Sequence, residues 1–108
     1  MESFLFLMRS GPRSSQINTV FNTLKQLSQA GNPVTVFLVQ DGVLAGLDSP
    51  WANATRAQTP GATYRVLAED LALRGICEHD LGADVRVAGY PDLVDAIMEE
   101  NERVLGAF

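Results

Sequence analysis

Phe4-Leu5-Phe6-Leu7-Met8 carries an apolar side chain at every position rather than at every second one. A strand with one wet face alternates. A strand buried on both faces does not, and such strands belong to parallel sheets covered by helices on both sides. Pro33 opens a second run of the same kind, Val34 to Val39, rich in β-branched residues and closed by the turn Gln40-Asp41-Gly42. Between the two runs, Ser10-Gly11-Pro12 breaks the strand, and Ser14 or Ser15 offers a hydroxyl to the free N–H groups of a first helical turn. Ile17, Val20, Phe21, Leu24 and Leu27 then form one stripe at helical spacing, and Gly31 supplies the left-handed residue that ends it. The first forty residues therefore read as strand, helix, strand.

The same alternation continues. Val43, Leu44 and Leu47 suggest a short helix that Asp41 can cap, and Asp48 to Gly61 reads as a long loop with some helical character. Thr63 to Ala68 is a third strand, Glu69 to Arg74 a short helix closed by Gly75, and Val85 to Ala88 a fourth strand. Pro91 suits the first position of a last helix whose apolar face is Leu93, Val94, Ile97 and Met98. Arg103 to Phe108 ends the chain as a fifth strand. The expected fold is α/β, one domain over residues 1–108, with a mostly parallel five-stranded sheet and right-handed crossovers placing helices on both faces.

Composition limits the partners. Eight basic and thirteen acidic side chains leave a net charge of −5, and the pI is about 4.6. Nucleic acid and anionic lipid reward Lys/Arg patches, so neither is expected as a ligand. One cysteine excludes an intrachain disulfide and any multi-cysteine metal centre, and with one histidine no metal site is expected. No cofactor is expected either. The N-terminal apolar run is too short for a secretory signal or a membrane span, and the expected location is the cytoplasm.

Ligands of open parallel sheets bind beyond the carboxyl ends of the strands. That rule selects Arg9 to Arg13, Gln40 to Gly42 and Ala68 to Asp70. In the first loop Arg9, Arg13, Ser14 and a helix start can hold a small anion, although neither G-x-x-x-x-G-K-[ST] nor G-x-G-x-x-G is present. The ordinary alternative is a capped helix with solvated arginines. Asp41 and Asp70 can act as an acid–base pair, or cap helices and pair with Arg13 or Arg74. Gln40 belongs to the same strand-end set. Trp51 can close a pocket, anchor an interface or pack on the chain's own core. Cys77 and His79 share a face of an extended segment, where an imidazolium would lower the thiol pKa. A lone cysteine after Gly75-Ile76 otherwise reads as a small buried hydrophobe.

Three segments together resemble the DsrE/DsrF/DsrH superfamily of sulfur-relay proteins: GNPVTVFLVQDGVLAG (31–46), YRVLAEDLALRGI (64–76) and VRVAGYPDLVDAIMEENERVLGAF (85–108). The resemblance implies a central parallel sheet, assembly into trimers or hexamers with a dimer also open, and work beside sulfur-relay partner proteins. It further implies that sulfur-carrying members place a cysteine in the loop after the middle strand. That loop here is Leu67-Ala68-Glu69-Asp70, without cysteine, and so resembles the DsrH/TusB type of partner subunit. Cys77 falls out of register with the carrier position. Three readings follow. The first is a non-catalytic oligomeric accessory subunit with a small-ligand pocket formed by Arg9, Arg13, Ser14, Gln40, Asp41, Trp51 and Asp70. The second is a sulfurtransferase carrying persulfide on Cys77. The third is a small-anion-binding protein or enzyme using Arg9, Arg13, Asp41 and Asp70.

Overall fold

A computed structural model describes residues 2–9, 11, 17–101 and 103–107. Within them the order is β1 (Phe4–Met8), α1 (Ile17–Gln29), β2 (Val34–Leu38), a 3-10 segment (Gln40–Gly46), α2 (Pro50–Ala57), β3 (Thr63–Leu67) and α3 (Ala68–Leu73). A 3-10 turn (Glu78–Asp80), β4 (Val85–Ala88), α4 (Tyr90–Asp95), its π-helical continuation (Ala96–Glu100) and β5 (Arg103–Ala107) follow. The five strands form one sheet in the order β4-β3-β2-β1-β5, and every pairing is parallel. No helix among the described residues is long and apolar enough to cross a membrane.

The strand order explains why the strands lack alternation. Each step from β1 to β4 moves one place in the same direction, so right-handed crossovers put the connecting elements on one face. The return from β4 to β5 crosses the sheet the other way and puts α4 on the opposite face. Side chains divide accordingly. Phe6, Met8, Val34, Val36, Leu38, Tyr64 and Val66 pack with Val20, Phe21 and Leu24 of α1 and with Leu71 of α3. Leu5, Phe37, Leu67 and Ala88 point the other way and pack with Ala96, Leu93 and Ile97. Both faces are therefore dry at the middle of the sheet.

Helix α1 ends as its glycine requires. Gly31 has φ +90°, the Gly31 N–H donates to the Ser28 carbonyl at 3.0 Å, and the Asn32 N–H donates to Leu27 at 3.2 Å. These two reversed bonds satisfy carbonyls the helix leaves open.

Three expectations are corrected. The stretch 48–61, expected as a long loop with some helical character, holds a regular helix, α2, over Pro50–Ala57. Ser49 Oγ accepts the Ala52 N–H at 3.3 Å and Pro50 sits in the first turn, so the start is an ordinary cap. The buried face of α2 is Ala52, Thr55 and Arg56, which carries no apolar stripe to read. Second, α4 and its continuation turn Leu93, Ala96 and Ile97 inward, whereas Val94 and Met98 are 54% and 74% exposed. Third, Asp41 caps nothing. Val39 precedes the 3-10 segment with no side-chain cap, and the Asp41 carboxylate instead pairs with Arg74.

Candidate functional site

The carboxyl ends of β2, β3 and β4 converge on a cleft of about 220 Å³ lined by Val39, Gln40, Leu67, Asp70, Tyr90 and Leu93. Gln40 is the one described non-glycine residue with positive φ, at 51°. A left-handed non-glycine residue needs its surroundings to hold it. Asp70 supplies that hold, because its Oδ2 accepts the Gln40 N–H at 2.7 Å. Asp70 is buried, and Arg74 answers its charge from one turn on. Arg74 Nη1 lies 3.6 Å from Asp70 Oδ1 and donates to the Asp70 carbonyl at 3.2 Å. Its Nη2 donates to Asp41 Oδ1 at 3.0 Å. One guanidinium thus ties the turn after β2 to the helix after β3. On the far wall, Glu69 Oε2 accepts the Tyr90 N–H at 3.4 Å.

Gln40, Asp41 and Asp70, expected as strand-end residues, are therefore brought together. Arg9 is exposed just past β1, and Gly11 lies against Asp41, where an added Cβ would stand 3.4 Å from the Asp41 Cβ. Arg13, Ser14 and Ser15 lie outside the described residues. Trp51 is not brought to the cleft; it sits half-buried in α2 and packs on the first core cluster.

Removing the Asp70 acceptor isolates its contribution. Asp70→Ala leaves the Gln40 N–H unpaired and should cost about 1–3 kcal/mol. Asp70→Asn keeps an oxygen there and should cost less. Chemical denaturation gives the totals, and faster amide exchange at Gln40 in the alanine variant places the loss. Unchanged exchange at Gln40 would show that the bond does not hold the turn.

Cys77 is exposed, against the expectation of a small buried hydrophobe, because it stands on the turn after α3 rather than on a strand. Its thiol, the His79 imidazole and the Asp80 carboxylate have ligand atoms within 4.8 Å of one another. His79 and Asp80 also line a second cavity, of about 450 Å³, with Asp48, Ser49 and Ile76. This group is separate from the residues that line the strand-end cleft.

The sequence reading missed a third feature. Arg56 is 3% exposed. It donates through Nη1 to the carbonyls of Ala45 at 2.7 Å and Leu47 at 2.9 Å, through Nη2 to Asn53 Oδ1 at 2.6 Å, and through Nε to Asp84 at 3.1 and 3.2 Å. Nearby, the Tyr64 hydroxyl lies 3.3 Å from the carbonyls of Arg56 and Thr59. Partial burial raises the Asp84 pKa, but hydrogen bonds from Arg56 and its own backbone, with the guanidinium charge, outweigh this and hold the carboxyl below its usual range. Burial pushes the Tyr64 phenol far above its usual range, only partly offset by its Thr59 hydrogen bond and by Arg56.

Both shifts set pH limits on stability. A depressed carboxylate stabilises above its unfolded value of about 4 and loses this as pH falls through the folded value. A raised phenol costs nothing below about pH 10 and destabilises above it, because only the unfolded chain ionises freely. Denaturation midpoints should therefore fall at both ends, with a shallower acid limb in Asp84→Asn and a shallower alkaline limb in Tyr64→Phe.

Residues 10–103 match the family model described as DsrH like protein. The fold is similar to the crystal structure of the ychN protein from E. coli, with TM-score 0.78, 18% identity and 100% of each chain covered. It is equally similar to the protein of unknown function MTH1491 from Methanobacterium thermoautotrophicum, with TM-score 0.78, 16% identity, and 95% of this chain and 97% of that chain covered. At these identities the two likenesses concern the fold. No curated protein matches the chain. Because that family match runs over residues 10–103, most of its length, the chain belongs to the DsrH-like protein family.

Proposed function

We propose that this chain is a non-catalytic DsrH-like subunit of a cytoplasmic sulfur-relay system, working in an oligomer and receiving a small ligand or a partner's loop at the strand-end cleft. The observation that carries the reading is Asp70. Where the resemblance expects a sulfur carrier, the segment after β3 presents a buried carboxylate already bonded to the Gln40 N–H and balanced by Arg74. A carboxylate does not attack a persulfide sulfur, and its charge repels a persulfide anion. The same pairing weakens the small-anion alternative with Arg9, Arg13, Asp41 and Asp70, since Asp41 and Asp70 are already both paired with Arg74. Assembly as a trimer or hexamer, or as a dimer, is supported by exposed apolar side chains. Tyr90, Val94 and Met98 recur every fourth residue along α4 and its continuation, with Leu73 and Val104 also exposed.

The exposure of Cys77 favours a second reading, persulfide transfer through that thiol. There the thiolate would attack the outer sulfur of a donor persulfide, forming Cys77–S–SH and releasing the donor thiol. Incubation with a cysteine desulfurase and radiolabelled cysteine separates the two. The subunit reading expects no stable label on this chain and light scattering at a multiple of 11.7 kDa. Label that disappears in Cys77→Ser would replace it with the second reading, and a monomer mass would remove the oligomer.

A further inference from the structure

We propose that Cys77, His79 and Asp80 form a binding site for a divalent transition metal of Zn²⁺ type. This goes beyond the subunit reading and does not depend on it. A metal ion needs donor atoms converging at a fixed spacing, and among the described residues three such side chains meet here, with ligand atoms within 4.8 Å of one another. His79 Nε2 lies 3.5 Å from Asp80 Oδ1. Two donors about 2.0–2.2 Å from one tetrahedral zinc ion stand about 3.4 Å apart. The pair is thus already at the edge length of a coordination tetrahedron, and the thiol sulfur stands within 4.8 Å of both.

The scaffold is set before any ion arrives. Asp80 Oδ2 accepts the Cys77 N–H at 3.0 Å, which leaves Oδ1 on the side of His79. The Asp80 N–H returns to the Cys77 carbonyl at 3.0 Å and closes the turn. The turn is clamped from outside as well. The Asp48 N–H donates to the Asp80 carbonyl at 2.8 Å, the Gly82 N–H donates to the Gly46 carbonyl at 2.9 Å, and Leu47 bridges Leu81 between them. Outer bonds of this kind fix the orientation of ligating groups. All three side chains are exposed, and the bond Asp80 makes to the turn uses Oδ2, which leaves Oδ1 for the ion.

The donor set selects the ion. Thiolate, imidazole and carboxylate together suit zinc, cobalt, nickel and copper, whereas magnesium and calcium prefer oxygen alone. Three protein ligands leave a fourth position open, as in zinc sites that bind exchangeable ligands. His79 and Asp80 line the cavity of about 450 Å³, which places a small molecule held there within reach of the ion.

The test uses the whole reduced chain, titrated with Zn²⁺ by calorimetry and with Co²⁺ by absorbance. Expected are one equivalent of Zn²⁺, a thiolate-to-cobalt charge-transfer band and the intense visible bands of four-coordinate cobalt. Cys77→Ser should abolish the charge-transfer band. His79→Ala and Asp80→Asn should each weaken Zn²⁺ binding by about tenfold or more, with circular dichroism unchanged. Two results overturn the proposal: no binding tighter than about 1 mM, or binding that His79→Ala and Asp80→Asn leave within about twofold, which would reduce the site to a lone thiol. Either result leaves the desulfurase experiment, and the subunit reading it tests, untouched.

Discussion

Arg56→Met is expected to lower the unfolding free energy by about 3–5 kcal/mol, measured by urea denaturation at neutral pH. The magnitude follows from where the donors go. The guanidinium reaches two backbone carbonyls, Ala45 and Leu47, that belong to the 3-10 segment and its exit. It also holds Asn53 of α2 and Asp84 ahead of β4. Methionine fills a comparable volume but donates nothing. Each buried acceptor left without a partner costs about 1–3 kcal/mol. Asp84 contributes least to the loss, because its side chain is 57% exposed and water can take over. A buried ion pair replaced whole by apolar residues is often neutral, but backbone carbonyls cannot be replaced, so that escape is closed here. Gly82 provides an internal check. A Cβ on Gly82 would run into Arg56 Nη2, so Gly82→Ala should damage the same network, and the double variant should lose less than the two single losses added. A loss below about 1 kcal/mol for Arg56→Met would mean that water satisfies the carbonyls and that the guanidinium is not a tie between elements.

That network also marks the boundary of what the sequence could disclose. The strands were legible because burial on both faces leaves runs such as Phe4–Met8 without polar interruption. Helix α1 was legible because Val20, Phe21 and Leu24 carry one stripe and Gly31 ends it. Helix α2 was not, because its inward face is built around Arg56, and an arginine looks the same in sequence whether it meets water or two carbonyls from another element. In α4 the stripe was read too wide, with Val94 and Met98 counted inward beside Leu93 and Ile97. Leu93 and Ile97 sit beside Val94 and Met98, all four are apolar, and only the position of the sheet decides which pair turns inward. The cleft was half legible. The rule that ligands gather at strand ends located Gln40, Asp41 and Asp70, but the bond from Gln40 to Asp70 joins residues thirty positions apart, and no local pattern announces it. Cys77 was misplaced for the same reason, since the apolar neighbours Gly75-Ile76 say nothing of the exposed turn that follows.

Gly42→Ala is expected to cost about 3 kcal/mol, at the upper end for overpacking. In a loop the exchange normally stabilises slightly, by restricting the unfolded chain. The opposite sign is expected here because an added Cβ would drive into the carbonyl oxygen of Met8, with its carbonyl carbon at 2.8 Å and the Arg9 Cα at 3.3 Å. These are backbone atoms at the end of β1. They cannot swing aside as a flexible side chain would, and the same Met8 carbonyl accepts the Val39 N–H at 2.9 Å. Relief requires either β1 to bend away from β2 or the Gln40–Gly46 segment to lift. Lifting strains the bond from the Gln40 N–H to Asp70 on which the cleft depends. Gly75→Ala separates this steric cost from a conformational one. Gly75 has φ +64° with open space around it, so an alanine there meets only left-handed backbone strain, about 1–2 kcal/mol. The ordering Gly42→Ala above Gly75→Ala, with faster amide exchange at Gln40 in the Gly42 variant alone, is the expected result. The reverse ordering would show that the turn after β2 yields easily, and a cleft whose wall yields that easily could not hold Gln40 in its strained conformation.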